Sequence, residues 1–269
     1  ADFILCRIRS LIVDNKISAV LFDIDGVLEY QGKVFAGAIE LVKELRDRGT
    51  PIRVISNSTL KSRNSAALKL QNKGFDVTEE EVITASYATA QYLRSVGAHS
   101  CWVMLTREGL DEFAGFSHDE TSPEYVVVGD YRDKFTFESL NKAAQLIVAG
   151  AKLVVMIPEM IDSSLGGLEL TVGAYGKMLE EACKVEAVYI GKPSHFMFDI
   201  ILDSLPDVPR EQVLMIGDKI STDIHGARNA GLQSALVKTG EFREGDLTSS
   251  ISPDYLIDSV KDVRNILWP

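Results

Sequence analysis

Short β-branched runs recur along this chain, each followed by a polar loop and then by a stretch whose apolar residues return every three or four positions. VLF (20–22) leads into DIDG and then AGAIELVKELRDRG (36–49), where Ile39, Leu41, Val42 and Leu45 share one helical stripe. PIRVI (51–55) leads into SNST and the helix-like LKSRNSAALKLQNKG (60–74). AVYI (187–190) precedes GKPS and FMFDIILDSL, and QVLMI (212–216) precedes GDKIST and DIHGARNAG. SALV (234–237) and DYLI (254–257) read as further strands, and SVKDVRNIL as a closing helix.

Strands alternating with helices predict an α/β fold, a doubly wound, Rossmann-like parallel sheet covered on both faces. The runs are continuous apolar blocks, as central parallel strands require. Between Thr84 and Cys183 the alternation starts again: SYATAQYLRSVG and FTFESLNKAAQLIVAG as helices, CWVML, EYVVVG and KLVVMI as strands. We read 84–183 as an α/β cap domain inserted into a core of 1–83 and 184–269, with linkers near VITAS and KVEAV.

Ligands of such sheets bind beyond the carboxyl ends of the strands, and each unusual polar cluster (DID, SNS, GK, GD) follows a predicted strand. The first is the most informative. Asp23 and Asp25, one residue apart, cannot both be cheaply ionised in a dry site unless a cation sits between them. A hard divalent ion such as Mg²⁺ suits oxygen ligands, and Asp218 offers a third carboxylate. One aspartate could then attack phosphorus while the other carries protons. By itself Asp-x-Asp-Gly is equally a surface turn. It is the agreement with the other strand ends that favours chemistry. Ser56 and Asn57 carry donors suited to phosphoryl oxygens, although a serine there could also cap the next helix. Lys192 ends an apolar strand. Asp223 could hold Lys192 or a metal-bound water, or cap DIHGARNAG.

With 269 residues, 46% of them apolar, the chain can bury a core without staples. Its net charge of −11 argues against a nucleic-acid footprint and against anionic membranes, and no run approaches 18 apolar residues. Cys6, Cys101 and Cys183 are scattered without a CxxC pair, as in a reduced cytoplasmic protein, and the first stretch lacks a signal peptide's apolar run. A homodimer is compatible with this sequence. The Gly-Lys pairs at 176–177 and 191–192 lack the rest of a Walker loop. His99, His118, His195 and His225 lack zinc-site spacing, and there is no GxSxG elbow.

DIDGVL, SNS, GKPS and GDKISTDIHGARNAG, in that order from about Ile17 to Val260, resemble the haloacid dehalogenase superfamily of aspartate-based phosphohydrolases. The insertion resembles the capped branch containing 4-nitrophenylphosphatases, phosphoglycolate phosphatases and phospholysine phosphohistidine inorganic pyrophosphate phosphatases. GFDVTEEEVITA, SLNKAAQLIVAGAKL and LVKTGEF are most similar to the last group. The resemblance implies a phosphatase acting on a small phosphorylated substrate. It assigns Asp23 as nucleophile, Asp25 as general acid and base, Ser56 and Asn57 to the phosphoryl group, and Lys192 to its charge. Mg²⁺ would be held by Asp23, the Asp25 carbonyl and Asp218, with Asp223 in support. A receiver-type signalling domain uses similar residues but is about half as long, and a dehalogenase of this superfamily lacks the second aspartate. Two departures bear on substrate: Glu29-Tyr30 after the first motif, and VMIPEMID (155–162) where much of the branch has Asn-x-Asp. Glu159, Met160 and Asp162 are therefore expected to influence selectivity.

Overall fold

A computed structural model of the chain describes residues 16–162, 167–247 and 251–269. Cys6 and the first arginine-containing stretch lie outside the described residues. The strands, in chain order, are β1 (Ala19–Asp23), β2 (Glu29–Tyr30), β3 (Lys33–Val34), β4 (Ile52–Ser56), β5 (Val82–Thr84), β6 (Ser100–Met104), β7 (Ser117–His118) and β8 (Tyr125–Val128). They continue as β9 (Lys152–Val155), β10 (Ile161–Asp162), β11 (Glu169–Leu170), β12 (Val188–Tyr189), β13 (Val213–Gly217), β14 (Gln233–Val237) and β15 (Tyr255–Ile257).

Six strands form one parallel sheet in the order β15-β14-β13-β1-β4-β5. Alternation along β1 serves both faces of it: Ala19 and Leu21 join one buried cluster, Val20 and Phe22 the other. Helix α1 (Ala38–Asp47) covers one face through Ala38, Leu41, Val42 and Leu45, a one-sided stripe at helical spacing. Ile39, expected on that stripe, is only half buried. Helix α2 (Arg63–Gln71) begins three residues later than the sequence pattern suggests, because the Ser62 side chain caps it by accepting the Ser65 N–H at 3.1 Å.

The second sheet, β12-β9-β8-β6-β7, is also parallel throughout. Helices α4 (Phe137–Val148) and α5 (Val172–Cys183) pack beside it, after α3 (Ala85–Ser95). A single apolar cluster runs from Leu21 and Ile55 to Val127 and Val154, so the two sheets share one continuous core. Among the described residues no helix is long and apolar enough to cross a membrane.

Two strand readings change. VIT, expected as a linker, is β5 and extends the first sheet beside β4. AVYI, expected in that same sheet, pairs with β9 as the edge of the second. Both are too short to carry a sequence mark of their sheet. Lys192, which follows AVYI, therefore reaches the strand ends of the first sheet from the second. After β12 the chain enters α6 (His195–Asp203), where Phe196 meets Tyr92 of α3 edge-on at 5.1 Å.

Candidate active site

The carboxyl ends of β1, β4 and β13 open into a cavity of about 900 Å³ whose opposite wall comes from the second sheet and the β10–β11 hairpin. Asp23 is the last residue of β1 and is buried. The chain then reverses: the Gly26 N–H donates to the Glu29 carbonyl at 2.7 Å, and Asp25, exposed, lines the cavity. Two aspartates separated by a single residue thus occupy different environments, one dry and one wet. Ser56 ends β4, buried and lining the cavity, and its Oγ accepts the Ser58 N–H at 3.1 Å.

Lys192 is buried and donates from Nζ to Asp23 Oδ1 and to Asp223 Oδ1, each at 2.7 Å. Asp223 sits in a wide helical turn, Ile220–Ile224, ahead of α7 (His225–Ala230), and its Oδ2 accepts the Lys219 N–H at 3.1 Å. It holds the lysine and takes the N–H of the residue before the turn, whereas α7 has no side-chain cap, so of the roles weighed from sequence Asp223 is seen holding Lys192 and not capping DIHGARNAG. Asp218, just past β13, accepts the Glu241 N–H on Oδ2 at 2.6 Å.

Carboxylate oxygens of Asp23, Asp218 and Asp223 lie within 4.8 Å of one another. The electrostatics follow from burial with a single ammonium to balance them. Burial pushes the Asp23 carboxyl well above the ordinary value; Lys192 pulls it partly back, while Asp223 and Asp218 raise it further. Burial, then Asp223, push Asp218 up to about 7, against the Glu241 N–H. Burial works against the Lys192 charge as well, yet Asp223 and Asp23 more than offset it and hold the ammonium protonated. Such a cluster has an excess of negative charge that a hard divalent cation would neutralise.

The backbone is shaped around it. A Cβ on Gly26 would lie 2.0 Å from Asp218 Oδ2, and one on Gly240 2.1 Å from the same atom. Gly26 also has φ +86°. Gly26→Ala should therefore displace Asp218 and strain the turn, costing about 1–3 kcal/mol from the backbone alone. We expect a lowered melting temperature together with at least about tenfold loss of whatever turnover the wild type shows; a variant matching the wild type in both would disprove the close approach.

The loop after β14 stands at a strand end like the others, and two of its residues, Thr239 and Glu241, were not among the expected site residues. Thr239 Oγ1 donates to the Gly26 carbonyl at 2.5 Å, and Lys219 pairs with Glu241 at 3.1 Å. The cap-side readings divide. Asp162 and Glu159 line the cavity, whereas Met160 is 52% exposed and lies outside it. Of the Glu29-Tyr30 departure, only Tyr30 lines the cavity. Glu29, the first residue of β2, is buried and paired to Lys69 Nζ at 2.5 Å and to Lys73. Sequence reasoning also missed the stacked rings of Phe135 and Tyr175, 3.8 Å apart on the cap wall. No periodicity marks such a pair.

Comparison with known proteins agrees with this geometry. Residues 20–116 match a family model described as haloacid dehalogenase-like hydrolase, and 189–263 match a related model. Phospholysine phosphohistidine inorganic pyrophosphate phosphatase of Xenopus laevis is 34% identical over 239 residues, covering 86% of this chain and 87% of that protein. Dihydroxyacetone phosphatase of Corynebacterium glutamicum is 28% identical, covering 91% and 90%. The crystal structure of 4-nitrophenylphosphatase from Thermotoga maritima superposes with a TM-score of 0.87 at 27% identity, covering 94% and 98%.

Proposed function

Since the chain belongs to the haloacid dehalogenase-like hydrolases, we propose that it is a Mg²⁺-dependent phosphatase that hydrolyses small phosphorylated molecules through a phosphoryl group carried on Asp23. The observation that carries this reading is the buried Asp23–Lys192–Asp223 arrangement beside Asp218, opening on a cavity sized for a small molecule.

Asp23 is anchored at the end of a central strand, and the Lys192 ammonium fixes the carboxylate by one oxygen. The other oxygen attacks phosphorus, and the bond from phosphorus to the leaving oxygen breaks. Asp25, on the wet side of the turn, gives its proton to that oxygen. It then takes a proton from water as the water attacks phosphorus and the bond to Asp23 breaks. Ser56 faces the phosphoryl oxygens from β4, and Lys192 offsets charge on them. Asp23, the Asp25 carbonyl and Asp218 would hold Mg²⁺, with Asp223 in support; when bound it would supply charge neutralisation for carboxylates and phosphoryl group alike. On the cap wall Asp130, Asp133, Asp162 and Glu169 outnumber Arg132, which itself pairs with Asp130, and this acidic excess disfavours leaving groups that carry a carboxylate. The protein works in the cytoplasm, where its scattered cysteines stay reduced.

The test is turnover of 4-nitrophenyl phosphate. Activity should vanish in excess chelator and return with Mg²⁺; undiminished turnover in chelator would overturn the metal assignment. The same ion should raise the melting temperature more at pH 8 than at pH 5.5. Asp218 and Asp23 hold their protons more tightly when folded than when unfolded, so the metal-free fold is penalised as pH rises towards about 7.

A further inference from the structure

Asn57 was expected to grip the phosphoryl group, but its side chain is fully engaged elsewhere. A carboxamide has two N–H donors and one oxygen. The Asn57 Oδ1 accepts the Lys192 N–H at 2.8 Å, and Nδ2 donates to the Lys192 carbonyl at 3.1 Å. The same Nδ2 donates to both carboxylate oxygens of Glu159, at 3.0 and 2.9 Å. One hydrogen serves Lys192 and the other Glu159, so nothing remains for a phosphoryl oxygen unless one of these bonds breaks.

Glu159 is itself held in place. The Gly173 N–H at the start of α5 donates to the Glu159 carbonyl at 2.8 Å, and the Thr171 N–H donates to the Met160 carbonyl at 3.0 Å. A Cβ on Gly173 would lie 2.2 Å from the Pro158 carbonyl oxygen, so only glycine lets the helix back this closely onto the loop. On the other side the Gly191 N–H donates to the Met156 carbonyl at 2.7 Å, which sets the Lys192 loop beside the Glu159 loop. A Cβ on Gly191 would meet Asn57 Oδ1 at 2.8 Å. Asn57 is thus a core side chain wedged between the ends of two neighbouring cap strands, β9 and β12.

We propose that Glu159 is a positioning residue: it holds the Asn57 amide, and the amide holds the Lys192 peptide so that the ammonium stays between Asp23 and Asp223. This rests on the phosphatase reading above and replaces a selectivity role for Glu159 with a mechanical one. The cap strand end and the catalytic lysine are linked through a residue of the core, so a displaced cap loop would disturb the lysine. Ser56, at the end of β4, and Lys192, after β12, are left as the side chains that face the phosphoryl group.

The experiment compares kcat and KM for 4-nitrophenyl phosphate, and inhibition by inorganic phosphate, across Glu159→Ala, Glu159→Gln, Asn57→Ala and the double alanine variant. Glu159→Ala should lose about tenfold or more in kcat/KM, the scale expected when a catalytic group is misplaced. Glu159→Gln should recover to within about threefold of wild type, because its carbonyl oxygen still accepts from Asn57. The double variant should fall no further than Asn57→Ala alone, since both act on one link. Should Glu159→Ala not fold, Glu159→Asp takes its place: it keeps the charge but withdraws the carboxylate from Asn57, and it should lose activity as well. The proposal is overturned if Glu159→Ala, or Glu159→Asp in its place, leaves kcat/KM unchanged, or tightens phosphate inhibition by freeing the Asn57 amide. Losses that multiply in the double variant overturn it too. A wild type without Mg²⁺-dependent turnover would instead count against the phosphatase reading, before any variant is compared.

Discussion

Asp23→Asn is expected to give a folded protein with turnover reduced on the order of 10⁴-fold or more, the scale seen when a covalent nucleophile is removed. The amide is close to isosteric and can still accept from Lys192 Nζ, which now donates to Asp23 at 2.7 Å. It cannot attack phosphorus, because its lone pair is delocalised and it carries no charge. Stability should move little in metal-free buffer, for two effects oppose each other. The pairing with Lys192 weakens, but repulsion from Asp223 and Asp218, which helps to raise the Asp23 carboxyl, is relieved. The measurement is steady-state hydrolysis of an aryl phosphate beside a melting curve. Turnover within tenfold of wild type would remove Asp23 from the reaction.

Lys192→Met should be the most damaging substitution for stability. The ammonium is buried between two buried carboxylates, and methionine preserves bulk while removing the charge. Breaking a buried ion pair by deleting one partner costs about 3–5 kcal/mol. At about 2–4 °C per kcal/mol for a chain of this size, the melting temperature in metal-free buffer should fall by roughly 10 °C. The sign of its pH dependence follows from the shifts. Lys192 is raised, so its contribution is complete below the unfolded value of 10.5 and is lost only above its folded value, outside the working range. Asp23 and Asp218 are raised carboxyls, whose contribution is complete below 3.8 and lost as pH climbs, to about 7 for Asp218. Without the ammonium to offset them, that loss steepens. The gap between wild type and variant should widen from pH 5 to pH 8, and a gap that narrows would contradict the pairing. Activity should fall as well, because in the proposed mechanism the same ammonium offsets charge on the phosphoryl group.

Much of this was legible in the chain. β1, β4 and β13 are apolar blocks that end in acids, hydroxyls or glycine, and buried strands can release such residues only at their carboxyl ends, where parallel sheets bind ligands. Asp23, Ser56 and Asp218 follow directly from that pattern. The loop holding Thr239 and Glu241 follows β14 by the same rule, and a wider application of it would have found them.

Other features had no local signature. Val82–Thr84 and Val188–Tyr189 are short apolar runs of the same kind, yet one joins the first sheet and the other the second. Periodicity reports how a residue faces its own element, whereas the choice of neighbouring strand depends on crossovers that span most of the chain. Asp23 and Asp25 look alike in sequence; the turn closed by Gly26 buries one and exposes the other. Asn57 carries the donors of a phosphate ligand, and whether they are free depends on Glu159, 102 residues away.

The sequence by itself determined the class of fold, the strand ends at which chemistry could occur, and the kinds of side chain placed there, because burial period and side-chain chemistry are local properties. The tertiary structure alone decided which of those groups meet. It brought Lys192 across from the second sheet to sit between Asp23 and Asp223, and it closed the Asn57 amide between Lys192 and Glu159. Those distances depend on how two sheets with one shared core pack together, and close packing fixes that geometry through contacts far apart in the chain.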